Sequence, residues 1–174
     1  KSDFNPPIVD FDMYTDINKV VLNNKTQNGS SYSWDFGDEK TSLLENPVNI
    51  YTNPGEYKIT LIARNSNSAA SGIKSVTIAG LDRIEPTVAG NTGNASFTIY
   101  GGGIDSKSTV KLEKDGVVII ADTAIVIKDG ELNVSFDLEG QSVGKWNVVV
   151  KISGVEYTLK EALTIEAGNI VDPY

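Results

Sequence analysis

The chain has no cysteine and no histidine among its 174 residues. Without cysteine there is no disulfide framework and no thiolate metal site. Without histidine it lacks the commonest general base and the commonest metal ligand. Basic side chains are in deficit, with 15 Lys and Arg against 23 Asp and Glu, a formal charge of −8. That balance argues against a nucleic-acid partner, which needs a basic patch. No run of 18 apolar residues occurs, so the sequence offers no membrane-spanning helix. The serines sit in no G-x-S-x-G elbow. Gly101-Gly102-Gly103 is followed by no helical pattern carrying Lys-Ser/Thr, so it is not a phosphate loop.

What is present is alternation. Tyr32, Trp34 and Phe36 alternate with Ser33 and Asp35, which in a strand puts the three rings on one face. Such a face needs an opposing apolar layer, hence a sheet packed on a sheet. Gly37-Asp38 then supplies a tight turn. Alternation predicts strands at about 8–13, 19–23, 32–36, 48–51, 57–63 and 73–79, separated by Asn-, Gly-, Pro- and Ser-rich turns. No helical period lasts beyond two turns, and strands spaced this closely read as a sandwich.

The second half reads the same way. Phe97 and Ile99 alternate, as do Val134, Phe136 and Leu138, and then Trp146, Val148, Val150 and Ile152. Asp115-Gly116, Asp129-Gly130 and Ser153-Gly154 lie between apolar runs, a hairpin signal. Gly80 marks the boundary. Residues 1–79 carry 7 basic and 9 acidic side chains, a net of −2; residues 80–174 carry 8 and 14, a net of −6. The fold class expected is therefore all-β, with two tandem immunoglobulin-like sandwiches over 1–79 and 80–174. So short a join predicts two domains in near contact and an elongated molecule.

Both halves resemble known modules. Tyr32-Ser33-Trp34-Asp35-Phe36-Gly37-Asp38 resembles the Y-x-W-D-F-G-D-G signature of PKD domains. Asn46-Pro47 and Tyr51 are similar to that family's N-P-x-H-x-Y stretch. Gly55, Tyr57 and the residues through Leu61 are similar to its G-x-Y-x-V-T-L strand. Glu39 stands where the family has a second turn glycine, and Asn49 where it often has histidine; both are read as turn or surface positions. The second half resembles an IPT/TIG domain through Leu81-Asp82-Arg83-Ile84-Glu85-Pro86, Tyr100-Gly101-Gly102-Gly103 and Gly144-Lys145-Trp146 through Val150. These families are accessory modules of surface and secreted proteins, usually bacterial. The resemblance thus implies a mature or excised piece of a longer extracellular or cell-surface protein, lipid-anchored through a preceding segment in one version. It implies a non-catalytic module that spaces or presents a neighbour; the alternative is a carbohydrate-binding accessory module. The partners implied are other domains of the parent protein and protein or glycan ligands at the cell surface. No cofactor is expected, and a monomer is.

Asp35 and Asp38 have the form of a carboxylate pair, but a turn aspartate that accepts backbone N–H groups is the favoured reading of Asp38. Asp35 is expected to pair with a polar side chain of a neighbouring strand. Asp10 and Asp12, with Asp3, Asn5 and Asp16, put oxygen ligands near the N-terminus, as some PKD modules do for calcium. No EF-hand loop gathers them, and no specific metal site is expected. Of the 14 aromatics, Phe4, Tyr14, Tyr100 and Tyr174 are left over once the cores are filled. Tyr14 and Tyr100 are the binding candidates, with Tyr100 beside open space at the three glycines. Tyr32, Trp34, Phe36, Tyr51, Tyr57 and Trp146 are expected in the cores.

Overall fold

A computed structural model describes residues 5–168. The chain divides into two compact units, Lys1–Ile78 and Ala79–Tyr174.

The first unit holds β1 (Phe11–Asp16), β2 (Lys19–Asn24), β3 (Ser31–Asp35), β4 (Thr41–Ser42), β5 (Val48–Ile50), β6 (Gly55–Arg64) and β7 (Ala69–Ile78). They form a three-stranded sheet, β1-β2-β5, and a four-stranded sheet, β4-β3-β6-β7. All their pairings are antiparallel. Phe11, Val20 and Leu22 of the first sheet face Trp34, Ile59, Leu61, Val76 and Ile78 of the second, with Phe36 and Tyr51 filling the layer. This is the alternation read in the sequence, since residues two apart share a face. Phe36 and Tyr51 each lie one residue past their strands, yet both are buried. Tyr32 is only half-buried against the core, its hydroxyl donating to the Gly29 carbonyl.

The first strand departs from expectation at both ends. Ile8 makes only a lone bridge to Gln27, and β1 starts at Phe11. The Phe11 N–H donates to the Asp10 carboxylate at 2.8 Å, so it is withdrawn from any sheet ladder there. At the other end β1 runs on to Asp16 and turns through Ile17-Asn18. Ile17 takes a left-handed φ of 55°, unusual for a β-branched residue.

The second unit holds β8 (Gly80–Glu85), β9 (Val88–Gly90), β10 (Asn94–Gly102), β11 (Thr109–Lys114), β12 (Val117–Ile120), β13 (Thr123–Lys128), β14 (Glu131–Asp137), β15 (Gly144–Ile152) and β16 (Val155–Glu166). One sheet runs β13-β14-β10-β8, the other β12-β11-β15-β16-β9. The short β9 joins β16 in parallel, and the remaining pairs are antiparallel. Phe97, Ile99, Val134 and Phe136 of the first sheet meet Leu112, Trp146, Val148 and Val150 of the second in one core. The three hairpins are made as the sequence predicts, with Asp129-Gly130 joining β13 to β14. Asp115 and Gly116 have φ of 50° and 83°, and Ser153 and Gly154 have 48° and 89°. Two successive left-handed residues match the right-handed twist of the flanking strands. Trp146 is fully buried, and its indole N–H donates to the Ser142 carbonyl at 3.0 Å.

Candidate functional site

The turn after β3 is a closed hydrogen-bonded unit. The Asp35 carboxylate accepts from the Gly37 N–H at 2.8 Å. It therefore holds its own turn, which corrects the sequence expectation that it pairs with a polar side chain of a neighbouring strand. Asp38 accepts from the Lys40 N–H at 3.3 Å, from the Lys40 ammonium at 2.9 Å and from the Asn49 side-chain amide at 3.0 Å. Glu39 takes the left-handed φ of 68° that a glycine would take in this turn. Gly37, at φ 76°, could not be replaced freely, because an added Cβ would lie 2.8 Å from the Lys58 carbonyl oxygen.

Asn49 corrects the sequence reading. It is no surface position but the buried centre of β5, 4% exposed. Its amide ties that strand to the Asp38 turn on the other sheet. Beside it the Tyr51 hydroxyl donates to the Phe36 carbonyl at 2.8 Å, and the Tyr51 ring lies 4.2 Å from that of Tyr57. Burial pushes the Tyr51 phenol up.

Burial opposes charge on Asp38, but hydrogen bonds from Asn49 and Lys40 outweigh it and hold the carboxyl below the usual carboxylate range. A carboxyl lowered in the folded state adds stability that is full above its unfolded pKa, about 3.9, and is lost as pH falls through the folded value. The urea midpoint of the first unit is therefore expected to fall more steeply below about pH 4 in the wild type than in Asp38→Asn. Equal pH slopes would mean that the turn does not hold a charged carboxylate.

The acidic residues near the N-terminus are not gathered. Asp10 pairs with Lys74 at 3.0 Å, while Asp12 pairs with Lys25. The Lys74 hydrogen bond, with that of the Phe11 N–H, lowers the Asp10 pKa. Lys74 also donates to the Phe11 carbonyl and sits 5.0 Å from the Phe11 ring centre. Asn5 contributes its backbone carbonyl to Asn65, Asp16 is exposed at the hairpin, and Asp3 lies outside the described residues. Among the described residues no three Asp, Glu, His or Cys side chains converge as metal ligands. Calorimetric titration with calcium is expected to give no saturable heat, and chelator to leave the melting curve unmoved. A one-to-one isotherm would overturn this.

Tyr14 and Tyr100 lie in different units. Tyr14, 68% exposed, stands on the outer face of the β1-β2-β5 sheet. The register places Tyr14 opposite Val21 and Val21 opposite Val48, an apolar row across three strands. Tyr100 is not beside open space. The Arg83 guanidinium lies 3.6 Å from its ring centre, held there by Asp82 at 2.7 Å and Glu85 at 3.0 Å. A covered ring cannot stack a sugar on that face. The adjoining glycines also serve close approach: a Cβ on Gly101 would meet the Gly80 carbonyl oxygen at 2.3 Å. Phe4 and Tyr174 lie outside the described residues.

Sequence reasoning missed Asn49, Arg83 and a groove of about 280 Å³ on the outer face of the larger second-unit sheet. Val149 floors the groove, with Thr109, Lys111, Ile120, Lys151 and Glu156 around it. Lys111 is engaged by Glu113 at 2.8 Å and Glu156 at 3.0 Å. The signal available for it was the unbroken run Val148-Val149-Val150, which buries both faces of β15 where alternation would bury one.

The PKD domain family matches residues 6–79. Collagenase ColQ1 of Bacillus cereus (strain Q1) is 46% identical over 41 residues, which are 24% of this chain and 4% of that protein's length. Two solved structures are similar to 42% of the chain at 25% identity. They are the PKD1 domain of Vibrio anguillarum Epp, covered to 94% with a TM-score of 0.41, and the PKD1 domain of the Vibrio cholerae metalloprotease PrtV, covered to 98% with a TM-score of 0.40. The strand face built on Trp34 and Phe36, closed by the Asp38 turn, lies within residues 6–79, the segment that matches the PKD domain family.

Proposed function

We propose that this chain is a non-catalytic accessory part of a larger extracellular or cell-surface protein, spacing or presenting a neighbouring domain and making protein contacts. The observation that carries the reading is how the acidic side chains of the PKD segment are used. Asp35 and Asp38 are consumed by their own turn, and Asp10 and Asp12 by Lys74 and Lys25. Carboxylates engaged in this way hold backbone and strands together. General acid–base work needs groups left able to reach a substrate. The similarity to a collagenase supports a secreted, bacterial setting, with the chain's match confined to 4% of that enzyme. The second unit, with its IPT/TIG-like opening and glycine run, supplies a second module of the same kind.

A glycan array and a polysaccharide and collagen hydrolysis assay on the chain test this. The expected outcome is no saturable glycan binding and no hydrolysis. Saturable glycan binding that Tyr14→Ala or Tyr100→Ala abolishes would overturn the reading in favour of a carbohydrate-binding module.

A further inference from the structure

Among the described residues the four sheets have eight edge strands, and seven of them carry a device that discourages another strand from pairing. β4, β5 and β9 are only two or three residues long. β1 carries Asp12 and Asp16. β8 carries Asp82, Arg83 and Glu85 and runs into Pro86. β7 carries Lys74, whose ammonium is drawn across to the Phe11 carbonyl and Asp10. β13 has a register break between Val126 and Lys128. β12 has none of these. Val117-Val118-Ile119-Ile120 is continuous, uncharged and free of proline.

The open side of β12 is also defined at the level of individual amides. The Ala121 N–H donates to the Val110 carbonyl at 3.0 Å. Bonding groups in an antiparallel strand alternate in direction. The register pairs Ile119 with Leu112 and Val118 with Glu113. Val117 and Ile119 therefore point their N–H and C=O groups at β11, and Val118 and Ile120 point theirs outward. The side chains there are exposed as well, Val118 by 51% and Ile120 by 72%. After two intervening residues the chain begins β13, where Ile125 and Ile127 are also exposed.

We infer that the β12 edge is an association site for a second copy of this chain, paired antiparallel so that Val118 of one copy lies opposite Ile120 of the other. A two-fold axis at Ile119 repeats that pair, which matches two outward donors and two outward acceptors from each copy. The fit is to itself. β12 brings no charge against charge and places β-branched side chain beside β-branched side chain, the pairing strands favour. A charged peptide would find no counter-charge on the strand. This replaces the monomer expected from the sequence. The contact is small, so its affinity is weak, with Kd roughly between 10 μM and 1 mM. The net −6 of residues 80–174 repels the second copy at a distance, so added salt strengthens the association.

Sedimentation equilibrium across about that concentration range, at low and at added salt, tests the inference. The apparent mass is expected to rise from 18.7 kDa toward twice that value, and to rise further with salt. Val118→Pro with Ile120→Pro removes the two outward N–H groups without touching the ladder to β11, and is expected to stay monomeric. Amide exchange on the unmodified chain reads the same contact without a variant. Val118 and Ile120 are expected to gain protection as concentration rises, while Val117 and Ile119 are protected throughout. A single monomeric species at every concentration overturns the inference, and binding of an unrelated extended peptide by that monomer would give the edge to a different partner. A dimer in which Val118 and Ile120 gain no protection overturns it equally.

Discussion

Trp34→Ala is expected to lower the stability of the first unit by about 3–5 kcal/mol. The side chain is fully buried, and the Phe11 ring meets it edge-on at 5.0 Å and 80°. Its indole N–H donates to the Leu44 carbonyl at 2.9 Å, which the truncation leaves without that donor. Lost burial, an unfilled cavity and a lost hydrogen bond all act in the same direction. Small domains have about 5–15 kcal/mol in total, so the loss takes a large share of the stability. The expected fall in melting temperature is roughly 15 °C or more. Trp34→Phe, which fills most of the space but cannot donate, should fall between wild type and alanine. Trp146 is then the only tryptophan left, so its fluorescence follows the second unit separately. A shift of only a degree or two for Trp34→Ala would place the side chain outside the core and refute the packing described above.

The sequence made this core legible because period-two alternation is a strong local signal. Tyr32, Trp34 and Phe36 declared a strand face, and Trp146, Val148 and Val150 declared another. Asp115-Gly116 and Ser153-Gly154 declared hairpins, since few residue pairs accept two left-handed conformations in a row. What was hidden depends on contacts between residues far apart in the chain. Asn49 looks like a turn residue until β5 is placed against β2, whereupon its amide reaches Asp38, eleven residues back. Arg83 can be placed over Tyr100 only once β8 and β10 are paired in register. The full length of β16 was hidden for a different reason. Its pairing with β15 shifts between Trp146 and Val148, where Glu161 takes a φ of 52° and its N–H is capped by the Asn147 side chain at 2.9 Å. A bulge interrupts alternation without ending the strand.

Gly101→Ala is expected to destabilise the second unit by about 3 kcal/mol or more, the upper end of what forced overpacking costs. Gly101 pairs with Leu81 at the point where the register of β10 against β8 shifts. The added Cβ would lie 2.3 Å from the Gly80 carbonyl oxygen and 3.2 Å from the Leu81 Cα. Both are backbone atoms, so no side chain can swing aside. Retreat is blocked as well, because the Gly101 N–H donates to the Gly130 carbonyl at 3.0 Å on the opposite side. Gly130 in turn has no room for a Cβ, which would sit 2.8 Å from the Gly101 carbonyl oxygen. The methyl group must therefore push β8 away from β10 and loosen Ile84, which that strand delivers to the core. Gly140→Ala is the matched control. Gly140 is left-handed at φ 70° but has nothing within 4 Å of an added Cβ, so it pays only conformational strain of about 1–2 kcal/mol. Denaturant midpoints of the two variants separate close approach from backbone conformation. A loss in Gly101→Ala no greater than in Gly140→Ala would mean that β8 and β10 do not meet at this distance, and that the three glycines border open space after all.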